Sequence, residues 1–99
     1  MSYAVEGEAG TVTITTAALA QIVLQAVAGI GGARVRRPRR HLEVEVADGR
    51  AYVGLELAVR YGLPISDVAR DVQAGVADAL RTMCGVEIAG VDVSVEELD

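Results

Sequence analysis

The chain has 99 residues, one domain's worth, and a chain of that length buries roughly 60–70% of the surface its unfolded form exposes. With 52% hydrophobic and 23% charged residues, intrinsic disorder is excluded for most of it. The net charge is −5, yet five of the nine Arg fall within residues 34–40 with no acid among them, so a basic segment sits on an otherwise acidic domain.

The core is built from small side chains: sixteen Val and sixteen Ala, with no Phe or Trp. Each buries little area, so the fold depends on many modest contacts and gains from covering surface with a partner. Cys84 is the only Cys, which excludes an internal disulfide and a cysteine-based metal cluster and fits a reducing, cytoplasmic compartment. With His41 the only His, a structural zinc site is disfavoured, and no metal or cofactor is expected. Residues 1–10 carry two Glu and no apolar run, so no secretion signal is read there. The longest uncharged stretch, residues 9–33, holds four Thr, two Gln and four Gly and is too polar for a direct membrane span.

A single domain over residues 1–99 is expected, with residues 1–9 loose and acidic. Thr11, Val12, Thr13 and Ile14 alternate and are β-branched, which predicts a short strand. Thr15 or Thr16 is placed to N-cap the helix that follows. In that helix Leu19, Ile22, Val23, Ala26, Val27 and Ile30 recur at helical spacing and define a buried face. Its other side carries Ala20, Leu24 and Ala28 beside Gln21 and Gln25. A helix apolar nearly all round is covered on more than one side, by the rest of the fold or by another subunit. Gly29, Gly31 and Gly32 end it.

Residues 33–41 form an Arg-rich segment interrupted by Pro38, read as a loop or an irregular edge. Leu42, Val44 and Val46 alternate with Glu43 and Glu45. Asp48-Gly49 is a two-residue hairpin signal, followed by alternating Val53, Leu55, Leu57, Val59 and Tyr61. That turn sets Val44 opposite Val53 and Leu42 opposite Leu55, with apolar residues of both strands on one face. Pro64 suits a first helical position. Ile65, Val68, Val72, Val76, Leu80 and Met83 then give an amphipathic helix with one buried stripe, stopped by Gly85. Val91, Val93 and Val95 alternate in a last strand. The expected fold class is α+β: one mainly antiparallel sheet with two helices on one face, in the order strand-helix-strand-strand-helix-strand.

Catalytic constellations are poor. His41 lies in no nucleophile motif. Cys84 ends a helix, where the dipole raises a thiol's pKa and disfavours reactivity. Asp67 with Asp71, and Glu43 with Glu45, are the ordinary polar sides of amphipathic elements. Gly29-Ile30-Gly31-Gly32 follows a helix, whereas phosphate-cradling loops follow a strand and open a helix. The Arg segment is the one feature with functional content. Arg34, Arg36, Arg37, Arg39 and Arg40 suit an acidic protein surface, anionic headgroups or phosphates, and the plain alternative is a solvated loop that offsets an acidic domain. No aromatic residue is interleaved, so base stacking is not indicated.

The pattern resembles the alkaline shock protein family of bacterial envelope stress response proteins over about residues 9–96. The resemblance rests on Gly10-Thr11-Val12-Thr13-Ile14, Val27-Ala28-Gly29-Ile30, Val59-Arg60-Tyr61-Gly62, Pro64-Ile65 with Val72-Gln73, and Cys84-Gly85-Val86-Glu87-Ile88 leading into Val91-Asp92-Val93-Ser94-Val95. It implies a non-enzymatic protein of envelope homeostasis that self-associates as a scaffold or adaptor at the cytoplasmic membrane face. The implied partners are further copies of itself, as a homo-oligomer, and a membrane-anchored protein. The Arg-rich segment with Pro38, and Asp92 where the family's last strand usually has Asn, depart from the pattern. The expected association residues are Ala20, Leu24 and Ala28, or the Arg segment meeting a neighbour's Glu96 and Glu97. The alternative is a small nucleic-acid-binding module using Arg34 through Arg40.

Overall fold

A computed structural model describes residues 2–7 and 9–99, with the side chains of Ser2, Tyr3, Val5, Glu6 and Arg39 outside the description. The chain is α+β, with two long helices and a mostly antiparallel sheet.

The acidic start expected to be loose carries a strand, β1 (Ser2–Gly7), paired antiparallel with β2 (Gly10–Thr15). These two form a hairpin of their own and do not join the main sheet, so the first expected strand lies outside it. The register sets Tyr3 opposite Ile14 and Val5 opposite Val12. Strand alternation therefore gathers those four apolar positions on one face, with Ala4, Glu6, Thr11 and Thr13 on the other. Outside its own pairing, the hairpin packs chiefly against the helix that follows.

That helix, α1 (Thr16–Ala28), starts where Thr15 accepts a bond from the Ala18 N–H at 3.2 Å. The cap satisfies one of the first-turn donors that have no intrahelical partner. Leu19, Val23 and Val27 are buried, one per turn. The chain then turns through Gly32, whose φ of +85° is left-handed. A methyl added there would run into the Leu63 side chain, so the position requires glycine on two counts.

The Arg-rich segment is ordered rather than a loop. It contains β3 (Ala33–Val35) and a short helix, α2 (Pro38–His41), before β4 (Glu43–Ala47). Arg37 takes a left-handed φ of 46° immediately before Pro38. Pro has no N–H to give a ladder, so the edge breaks there, makes one helical turn and resumes. Leu42 is the extended cap of that turn, and the ladder with β5 (Arg50–Val59) begins at Glu43. Asp48 and Gly49, both at positive φ, close the β4–β5 hairpin, and Val44 pairs with Val53 as the turn requires.

β5 is the central strand. β4 pairs with its residues 50–54 and β3 with residues 57–59, while β6 (Glu87–Leu98) pairs parallel along its whole length. β3 and β4 are therefore two pieces of one edge. Between β5 and β6 runs α3 (Ile65–Cys84), the crossover a parallel pair needs, and Gly85 at φ 67° ends it. Ala51, Val53, Leu55, Leu57 and Val59 of β5 are buried under Leu19, Val23 and Val27 of α1 and Val68, Val72, Val76 and Leu80 of α3. The other sheet face carries no helix.

Candidate functional site

Two surfaces collect the residues with functional content, one on each face of the β3 edge. The open sheet face is polar. Arg34 of β3 sits opposite Ala58, and Ala58 sits opposite Glu97 of β6. This row of three strands lets a long cation reach a carboxylate across a methyl. Arg34 Nη2 lies 3.1 Å from Asp99 Oδ2 and 3.9 Å from Glu97. Arg36 Nε lies 2.9 Å from Glu97 Oε2, with its Nη1 3.9 Å from Glu56. His41 Nδ1 stands 3.6 Å from the other oxygen of Glu56. Ala58 is only 1% exposed although it alternates away from the core, because this row covers it.

Next along the face, Tyr52 extends its ring toward Gly90, where a Cβ would lie 3.5 Å from the ring. The Tyr52 hydroxyl donates to Asp92, and the hydrogen bond to that carboxylate, before burial and the charge itself, holds the phenol above its usual pKa. Ser94 donates to Glu96. His41, Glu43, Gly54, Glu56, Asp92 and Ser94 line a shallow cleft of about 280 Å³. Its carboxylates are engaged by Tyr52, Arg36 and His41 or lie along a strand. Among the described residues no group of three or more His, Cys, Asp and Glu is placed to hold a metal ion.

The second surface is apolar. Leu24, Val27 and Ala28 of α1 meet Ala33, Arg34 and Val35 of β3 around a groove of about 350 Å³. Leu24 and Ala28 thus stand where the helix pattern leaves them uncovered, and Ala20 is half-buried one turn earlier. Beyond the groove, the same end of the domain exposes Tyr61, Leu63 and Leu98. It is the end at which β5 and β6 finish, with the Tyr61 N–H bonded to the Asp99 carbonyl at 2.7 Å.

The sequence-selected residues separate into these two groups and a third. Arg34 and Arg36 are held by the chain's own Glu97, Asp99 and Glu56. Arg37 and Arg40 are lifted out by the α2 turn, are exposed, and pair with no acid among the described residues. Arg39 belongs to the same turn, but its side chain lies outside the described residues. Glu96 meets Ser94 and Glu97 meets two arginines, so both have partners within the chain. Glu56 and Asp99 escaped the sequence reading because they lie 20 or more positions from the arginines they meet. Alternation of Ala33 and Val35 was the available signal for β3.

Cys84 is a buried free thiol whose pKa is pushed up by burial, which keeps it a thiol rather than a nucleophilic thiolate. Asp67 pairs with Arg70 at 3.6 Å across one helical turn. No described helix is long and apolar enough to cross a membrane.

A family model described as "alkaline shock protein 23 family, cell envelope-related function" matches residues 4–99. No curated protein matches the chain. Among solved structures, a manganese form of a MamM CTD variant is similar at 17% identity and TM-score 0.56, over 82% of this chain and 96% of that one. A cadmium form of another MamM CTD variant is similar at 20% identity and TM-score 0.56, over 82% of this chain and 94% of that one. A doubly substituted MamM CTD is similar at 18% identity and TM-score 0.56, over 82% and 92%. At such identities the likeness is one of fold.

Proposed function

Because the chain belongs to the alkaline shock protein 23 family, a family of cell envelope-related function with no known catalytic activity, we propose that it acts without catalysis. It works as a self-associating scaffold or adaptor at the cytoplasmic face of the membrane. The observation that carries this reading is the groove at Leu24, Ala28, Ala33 and Val35, an apolar surface left open on a small domain. Its contacts are apolar. Two of the arginines expected to drive assembly, Arg34 and Arg36, are already satisfied within the chain. Arg37 and Arg40, exposed on the α2 turn, add a basic rim that suits an acidic partner such as a membrane-anchored protein.

The same engagement of Arg34 and Arg36 counts against the nucleic-acid alternative, which is expected to show no binding to duplex DNA or single-stranded RNA at about 50 mM salt. The scaffold reading is tested by sedimentation velocity on the unaltered chain beside Leu24→Glu. The unaltered chain is expected to grow in mass with concentration, and Leu24→Glu to remain smaller at every concentration. Identical behaviour of the two overturns the role of the groove. A monomer at all concentrations overturns self-association.

A further inference from the structure

The β1–β2 arm is an element that this chain does not finish. A two-stranded hairpin alone is marginal in water and needs a third layer on its apolar face. Here the face defined by the Tyr3–Ile14 and Val5–Val12 pairs is covered only near α1: Ile14 is half-buried against the core, while Val12 stays 62% exposed. β2 passes directly into α1 at Thr15–Thr16, so the arm leaves from the first turn of that helix. The apolar groove lies beside its last two turns, at Leu24, Val27 and Ala28. Thirteen helical residues, about 20 Å, separate the two. The arm of a chain therefore leaves its own groove empty.

The two surfaces match in charge as well as polarity. Residues 1–33 contain Glu6 and Glu8 and no basic residue, whereas residues 34–40 contain five Arg. Of these, Arg37 and Arg40 stand exposed and unpaired among the described residues, on the turn that follows the groove strand β3.

We propose that the β1–β2 arm of one copy seats its Val12 face in the α1–β3 groove of a second copy, with Glu6 toward the Arg37–Arg40 turn. The inference rests on the self-association reading above and names its contact. The contact joins unlike surfaces at opposite ends of α1. It is therefore heterologous and leaves each added copy with one free arm or one free groove. Assembly then proceeds by successive addition to chains or a closed ring rather than stopping at a two-fold dimer.

The test is disulfide trapping between two singly substituted full-length chains, Val12→Cys and Ala28→Cys, mixed and mildly oxidised. Cross-linked heterodimer is the expected product. Thr13→Cys, on the opposite face of the arm, is expected to give far less with Ala28→Cys. Equal trapping by Val12→Cys and Thr13→Cys, or none by either, overturns the arm contact. Sedimentation of Val12→Glu and Thr13→Glu supplies the second readout. Val12→Glu is expected to weaken association at least about tenfold, equivalent to about 1.4 kcal/mol, with Thr13→Glu close to the unaltered chain. Both positions are exposed, so circular dichroism spectra are expected to stay unchanged. If the unaltered chain assembles and Val12→Glu assembles equally well, the arm contact is wrong and the scaffold reading stands. If the unaltered chain stays monomeric, both fall.

Discussion

α1 and α3 lie side by side on one sheet face, yet they are differently finished. α3 buries Val68, Val72, Val76, Leu80 and Cys84 in a single stripe and covers the rest with Asp67, Arg70, Asp71, Asp78 and Arg81. The surface of α3 away from the sheet is ready for water. α1 buries Leu19, Val23 and Val27, and then presents Ala20, Leu24 and Ala28 with no charged residue anywhere along its length. The same core is therefore closed by a solvent-facing helix on one side and by a helix with an apolar outer flank on the other. The difference locates where this domain meets another molecule.

Substitutions that exploit this contrast rank by expected size. Leu80→Ala in the α3 stripe is expected to cost about 2–5 kcal/mol in urea denaturation, because Leu80 is fully buried and its removal leaves a cavity. Leu24→Ala on the α1 flank is expected to cost under about 1 kcal/mol in the same measurement while weakening assembly. A large stability loss at Leu24 would mean that α1 is covered by its own chain. Gly32→Ala, at the turn that sends α1 into β3, is expected to cost about 1–3 kcal/mol, since the left-handed backbone and the Leu63 side chain both oppose a Cβ. Glu97→Gln removes the carboxylate shared by Arg34 and Arg36. Both ion pairs are partly solvated, so the loss is expected to stay under about 1 kcal/mol and to shrink with salt.

The smallest effect is a titration. Tyr52 holds its proton more tightly in the folded chain than in the unfolded one, because its hydroxyl donates to Asp92. Its contribution is fully present below the ordinary phenol value of about 10 and is lost as pH rises beyond that through the raised folded value. In Asp92→Asn the phenol is expected to titrate closer to its ordinary value by ultraviolet absorbance. An unmoved titration would remove Asp92 as the cause.

Local signals carried most of the fold into the sequence. Asp48-Gly49 set the β4–β5 register, Thr15 capped α1 and the repeat from Val68 to Leu80 marked α3. What stayed hidden was long-range or masked by composition. Arg34 and Arg36 read as a solvated run because their carboxylates lie on β5 and at the far end of β6. Tyr3 and Val5 alternated in an acidic stretch, and the Gly7-to-Gly10 turn that pairs them with Ile14 and Val12 is a hairpin signal easily passed over. Of the candidate site, Leu24 and Ala28 were legible from the helix wheel, whereas the β3 wall of their groove was hidden inside the Arg-rich segment.

The central claim is that the unfinished flank of α1, rather than the Arg segment, drives self-association. Sedimentation velocity of the unaltered chain over a hundredfold concentration range, at low and at high salt, tests it most directly. Assembly that grows with concentration and survives high salt is the predicted result, since apolar burial is not screened. A monomer throughout, or assembly that high salt dissolves, would contradict it.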